Sequence, residues 1–261
     1  MHQQLGKESP AESILFSKVN VGGLPVETDL LCIEDSYLRE CDATVLAIEG
    51  DFAVLDRSIF FPTGGGAPSD TGKISCGGKS ADVVEVSKKD GRILHKLSSP
   101  IFLAGDKVKC FLDWEKRHKI MRMHTCSHVL GAIMFAKGAQ VTGNQLGTTL
   151  TRFDFDCPAG TERQAFDEAM VELNKLLAQD VAVKIYSLPR EEAFKIPGIV
   201  KLADKLPPTV ASLRIVEIVG IDTQACGGMH VRSLSEIGQA KIEKIENKGA
   251  ARKRIYFSIS P

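Results

Sequence analysis

Two regimes of hydrophobic spacing meet near Trp114. From about residue 30 to 113 the apolar positions come as short runs and alternations broken by turn residues. Segments 43–48 and 52–55 read as short strands separated by a Glu-Gly-Asp turn, and 82–86 and 107–112 alternate as half-buried strands do. Gly77-Gly78 and Asp90-Gly91 mark hairpins. Many short strands with turn signals predict a small β-barrel over 29–113. After Trp114 the period lengthens. Residues 115–137 read as one helix and 161–179 as another, with Phe166, Met170, Leu173 and Leu177 at core spacing and Thr161 placed as N-cap. Residues 190–195 read as a short helix, and 181–188, 213–219, 239–245 and 254–259 as strands. Helices beside an antiparallel sheet make the expected class α+β: a barrel, then a two-layer α/β domain over 114–261. Residues 1–28 are weakly patterned, without the apolar core of a signal peptide, and are expected to be a flexible extension.

The chemistry concentrates in two short clusters. His-Thr-Cys-Ser-His at 124–128 lies in the first predicted helix, where a spacing of four puts His124 and His128 on one face. Cys-Gly-Gly-Met-His at 226–230 brings Cys226 and His230 together across two glycines that allow a tight turn. Three of the six histidines fall in these clusters, whereas His2, His95 and His118 have no partner at ligand spacing. A His3Cys set with a thiolate suits Zn2+, one ion per chain, over iron or manganese. Thr125 stands where a zincin helix carries its glutamate base, which argues against a metalloprotease, and the long separation argues against a zinc finger. Cys126 points away from the ligand face and is expected to be a small buried side chain. Asp222 is either a carboxylate behind a ligand histidine or a turn residue.

Composition narrows the setting. The 261 residues are 43% hydrophobic and 25% charged, ordinary for a globular chain, with a net charge of zero. No bulk field attracts RNA, so any grip on it must be local. Seven cysteines at scattered spacings do not form a disulfide framework and point to a reduced, cytoplasmic setting. No apolar run approaches membrane-spanning length.

The clusters, together with three further segments, resemble the AlaX family of free-standing alanyl-tRNA editing proteins and the editing domain of alanyl-tRNA synthetases. Residues 121–131 (MRMHTCSHVLG) are similar to that family's first metal helix, 141–145 (VTGNQ) to its substrate-pocket loop, 242–249 (IEKIENKG) to a strand and basic turn near its end, and 60–72 (FFPTGGGAPSDTG) to the glycine-rich motif of its longer members. The similarity covers roughly residues 30 to 261. The family usually has Thr where this chain has Met229 and Gln where it has Ala67. The resemblance implies a zinc-containing editing domain that hydrolyses the ester of serine, and of glycine, on tRNA(Ala), without ATP. Thr142, Asn144 and Gln145 are then the groups suited to a serine hydroxyl, and Gly64, Gly65 and Gly66 are implied in substrate recognition. Zinc would hold the aminoacyl end and orient a water.

A tRNA substrate calls for local basic groups. Lys116, Arg117, Lys119 and Arg122 cluster at the start of the metal helix, and Lys248, Arg252, Lys253 and Arg254 near the C-terminus. The partner implied is mischarged tRNA(Ala), with neither DNA nor membrane. Two other readings stand beside this one: a zinc-stabilised tRNA-binding module without hydrolysis, and a zinc hydrolase of another small ester.

Overall fold

The computed structural model describes residues 20–21, 24–25, 28–200, 210–249 and 251–260. The extension expected over 1–28 lies almost wholly outside the described residues. Six antiparallel strands close a barrel: β1 (Glu40–Glu49), β2 (Phe52–Leu55), β3 (Gly72–Cys76), β4 (Lys79–Lys89), β5 (Arg92–Leu97) and β6 (Lys107–Leu112), in the order β6-β1-β2-β5-β4-β3. Pairing of β6 with both β1 and β3 removes every edge. Alternation does the sorting: in β6, Val108 and Cys110 are buried while Lys107 and Lys109 face out. The strands β3 and β5 escaped the sequence pattern, because each is short and mixed in polarity.

The chain then enters α1 (Trp114–Ala136), opened by Asp113, whose carboxylate accepts from the Lys116 N–H at 3.1 Å. From Ile120 to Met134 this helix is buried on almost every side, so its apolar residues form no one-sided stripe. A four-stranded sheet packs beside it in the order β7 (Gln140–Gln145), β8 (Thr151–Asp156), β13 (Arg252–Ser260), β12 (Gln239–Asn247). The helix α2 (Arg163–Leu177) lies on that sheet through Phe166, Ala169, Met170, Leu173 and Leu177, with Asn174 bonded to both the N–H and the C=O of Ala240. A three-stranded sheet, β9 (Val183–Pro189), β10 (Ser212–Ile218) and β11 (Asp222–Ala225), completes the α+β architecture. Thr161 is not the N-cap: α2 begins one residue later, its cap position is Glu162, and the Thr161 hydroxyl donates to Pro158 O at 2.8 Å. Among the described residues no helix is long and apolar enough to cross a membrane.

One apolar core runs from the barrel (Val45, Ile74, Val108) through α1 (Met123, Leu130) to the second sheet (Phe155, Phe257). A charged clamp is sunk into it. Arg117, 1% exposed, points its Nε at both oxygens of Asp70 at 3.0 Å, and an Nη also pairs with that carboxylate. Its remaining donors reach Ser36 O at 2.8 Å and Ile59 O at 2.7 Å. Asp70 in turn accepts from the Phe61 N–H at 2.6 Å. Four segments distant in sequence thus meet on one guanidinium, and the glycine-rich stretch is stapled at both ends, Phe61 and Asp70, to the first turn of α1. Arg117 was expected on an RNA-facing surface. The structure places it inside, because a fork of five donors can satisfy several buried acceptors at once.

Removing one member of such a pair leaves the other charged and buried. Asp70→Ala is expected to lower unfolding stability by about 3–5 kcal/mol. Lys119→Ala, which breaks an exposed pair with Glu115 (2.6 Å), should cost less than about 0.5 kcal/mol. Urea denaturation of both variants checks the contrast.

Candidate metal centre

The fold brings the two clusters together. The ligand atoms of His124, His128, Cys226 and His230 all lie within 4.8 Å of one another. The histidines come from consecutive turns of α1 and from the segment after β11, with His124 and His230 ring centroids 4.2 Å apart and His128 and His230 4.5 Å apart. The Cys226 Sγ lies 3.4 Å from His230 Nε2 and 3.6 Å from His124 Nε2. The four donors are one soft thiolate and three imidazoles, a combination that fits a tetrahedral divalent ion of the zinc type.

Each ring is held from behind. The Thr125 hydroxyl donates to Met121 O at 3.0 Å, so toward His230 Nδ1, also at 3.0 Å, it acts as acceptor, and it accepts from the Val231 N–H as well. The proton of His230 therefore sits on Nδ1 and the Nε2 lone pair faces the site. The outer nitrogen of His128 is flanked by Gln224 Nε2 at 2.7 Å and Asp222 Oδ2 at 3.6 Å, and Gln224 donates to Asp222 at 2.6 Å. Asp222 is on strand β11 and buried, beside His128. His124 Nδ1 is buried without a hydrogen-bond partner. Its ring is placed by backbone instead: a Cβ on Gly228 would stand 2.2 Å from His124 Cε1 and 2.6 Å from Nδ1. Arg214 fixes the turn by donating through Nη1 to Cys226 O and Gly228 O, both at 2.8 Å. Thr125, Gln224 and Arg214 carried no signal as such in the sequence. Only Thr125 stood inside a cluster, and there it registered as a missing base.

Electrostatics at Cys226 and His230 agree with a ligand role, whereas His128 holds a proton that a bound ion would displace. Burial pushes the Cys226 thiol up, but His124, His128 and His230 outweigh it and bring the thiol well below its ordinary value. Burial opposes charge on His128, yet the Cys226 thiolate and Asp222 raise it to about 9. On His230 burial and the two neighbouring imidazoles together depress the pKa far below normal, which keeps that ring neutral and able to ligate. Cys126 is buried beyond the ligand face, its thiol pushed up to about 12 by burial.

The glycine-rich motif and the VTGNQ segment meet. Gly65 and Gly66 have φ of +61° and +85°, and a Cβ on Gly66 would stand 2.4 Å from Asn144 Oδ1. Asn144 Nδ2 donates to Gly65 O at 3.3 Å, and the Leu146 N–H to Gly66 O at 2.7 Å. Gly64 bridges to Ala67 across the turn. Read from sequence as a loop, VTGNQ is part of strand β7, with a bulge between Val141 and Gly143 that takes Thr142 out of the ladder. Thr142 and Asn144 are half-buried and Gln145 is exposed.

Most expected basic contacts already have partners. Arg122 donates to Ile237 O at 3.0 Å and Ser260 O at 3.3 Å. Lys248 pairs with Glu246 at 2.7 Å, Arg252 with Asp156 at 3.5 Å and Arg254 with Asp154 at 2.6 Å, while Lys253 reaches Asn247 Oδ1 at 2.8 Å. Lys116 lies half-buried on the first turn of α1.

Two substitutions test the packing behind the ligands. Gly228→Ala is expected to reduce bound zinc to well under one ion per chain, whereas Gly131→Ala, whose Cβ meets only ordinary contacts at 3.6 Å, retains it. Thr125→Val should weaken zinc affinity about 10–100-fold by removing the acceptor behind His230. Metal content and competition against a chromophoric chelator measure both.

Comparison with known proteins places this arrangement. Residues 213–256, which carry Cys226 and His230, match the family described as Threonyl and Alanyl tRNA synthetase second additional domain, and residues 15–116 match tRNA synthetases class II (A). The Alanyl-tRNA editing protein AlaX-M of Saccharolobus solfataricus is 41% identical over 90% of this chain and 100% of its own length. That of Methanosarcina barkeri is 41% identical over 89% and 99%. The Alanine--tRNA ligase of Pyrococcus abyssi is 35% identical over 97% of this chain but only 28% of the ligase. Similarity of that depth, over about nine-tenths of this chain and nearly all of each relative, shows that the chain belongs to the AlaX-M family of alanyl-tRNA editing proteins.

Proposed function

We propose that this chain is a trans-editing hydrolase that removes serine, and by the same chemistry glycine, from tRNA(Ala), with one Zn2+ held by His124, His128, Cys226 and His230. The observation that carries the reading is the convergence of these four ligand atoms within 4.8 Å in a chain whose AlaX-M relatives match it along nearly its whole length. The need for a second site is physical. A synthetic pocket sized for alanine cannot exclude glycine by size and rejects one added hydroxyl only weakly.

Bound zinc would supply a Lewis acid for the ester carbonyl and acidify a water. The chain's own residues supply the rest. Thr125, and Gln224 with Asp222, hold the outer nitrogens of His230 and His128 so that the inner nitrogens converge. Thr142, lifted out of the β7 ladder, and Asn144, braced against Gly65 and Gly66, present polar groups to the hydroxyl of a seryl ester. When alanine enters, those groups stay unpaired, which costs about 1–3 kcal/mol for each and disfavours the cognate ester. The glycine-rich turn brings bare backbone up against Asn144. Among the described residues no side chain stands out as a general base, so a bound ion would have to supply the acidity that activates water.

Deacylation of serine- and alanine-charged tRNA(Ala) by the zinc-loaded chain tests this. Serine is expected to be lost quickly and alanine spared. A Cys226→Ala variant should lose more than the ~10–100-fold that an outer partner's removal costs. A zinc-loaded native chain that binds tRNA(Ala) and releases no serine would instead make this a zinc-stabilised binding module, a reading that the complete set of four protein ligands favours. Equal hydrolysis of a small seryl ester without the tRNA body would make it a general esterase.

A further inference from the structure

An array of packed rings and guanidiniums lies at the base of α1, outside the His/Cys cluster. The Arg39 guanidinium carbon sits 4.2 Å above the centroid of Trp114, whose other neighbours are His118, stacked at 5.2 Å and 16°, and Tyr37 at 5.3 Å. The guanidinium carbon of Arg232 sits 4.1 Å over Tyr37. Glu236 fixes the layer beneath: it accepts from Tyr37 Oη at 2.7 Å and from the Arg232 N–H at 2.9 Å, and meets His118 Nε2 at 3.1 Å. The rings are half-buried and both arginines are exposed.

Arg39 differs from the other cations around it. Lys119, Lys109 and Arg232 each face a carboxylate, Glu115, Glu40 and Asp35 respectively. Arg39 has only the indole, so its positive charge and its outer face remain open to solvent among the described residues. A guanidinium held over a ring is already positioned, and its planar face fits a nucleobase while its edge fits a phosphate. The array also has a direction. Trp114 is ten residues before His124 on one helix, about 15 Å at 1.5 Å per residue, and Arg232 is two residues after His230.

We infer that Arg39, Trp114, Tyr37 and Arg232 form a docking surface for single-stranded RNA, receiving the unpaired nucleotides that precede the aminoacylated end of the tRNA. This rests on the editing reading for its substrate. Bases on arginine and aromatic planes, with phosphates between them, are how unpaired RNA is commonly held. A chain of zero net charge needs such a local cation site for a polyanion.

Trp114 is the sole tryptophan, so its emission reports on this surface without a label. The zinc-loaded native chain is titrated with an RNA hairpin carrying the tRNA(Ala) acceptor stem and its 3′ overhang, and with the same hairpin made blunt. The overhang is expected to quench emission saturably and the blunt hairpin to leave it nearly unchanged. Arg39→Ala should weaken overhang binding about 5–100-fold, the worth of one stacked base, and reduce the salt slope by about 0.7. Arg39→Lys, which keeps the charge and loses the plane, should lose most of the same affinity. The inference is overturned if the native chain deacylates Ser-tRNA(Ala) while emission ignores the overhang, or if both Arg39 variants bind like the native chain. A native chain that is quenched by the overhang and leaves Ser-tRNA(Ala) intact would overturn the editing reading and leave this surface standing.

Discussion

The buried pair of Arg117 and Asp70 sets the frame in which everything else is placed. Its guanidinium belongs to the first turn of the metal helix, and its carboxylate closes the glycine-rich stretch. Because the same arginine also satisfies the Ser36 and Ile59 carbonyls, the barrel cannot slide along the helix without stranding several buried acceptors. A well-packed apolar substitute could supply comparable stability. It could not supply register, and register decides whether Gly66 lies against Asn144 beside a metal helix that starts at the same pair.

From that frame the ligand cluster follows with little freedom. A helix turn spaces His124 and His128, but the rings point inward because of what lies behind them. Thr125 assigns the proton of His230, Gln224 and Asp222 flank His128, and the bare backbone of Gly228 takes the face of His124 where a methyl group would collide. The turn bearing Cys226 is tied by Arg214 rather than by its own sequence. The thiol then loses its proton readily because three imidazoles surround it, despite burial that works against charge.

What the sequence displayed was whatever is local. The four clustered side chains are legible because spacing within a helix turn and within a tight Gly-Gly turn brings each pair together whatever the rest of the fold does. The barrel was legible from its turns, and 115–137 came within a residue of the observed helix at each end. The strand β8 was legible in principle, since Thr-Arg-Phe-Asp-Phe-Asp alternates and buries Phe153 and Phe155. Its partner β7 was not, because a glycine and a bulge erase the alternation. The role of Arg117 lay out of reach for another reason. Four basic residues in a row of seven look like a solvated face, and only the tertiary fold shows that one of them is buried in the core. The Arg39 stack has the same origin: its members are separated by up to about two hundred positions and share no motif.

The central claim is that discrimination is built jointly by the barrel's glycine turn and the metal half. The direct measurement is the ratio of kcat/KM for seryl- over alanyl-tRNA(Ala) in Gly66→Ala, with zinc content determined on the same sample. The account predicts a full complement of zinc and a ratio reduced about tenfold or more, because the added methyl displaces Asn144 from its place against the turn. A zinc-replete variant that discriminates as well as the native chain would contradict it.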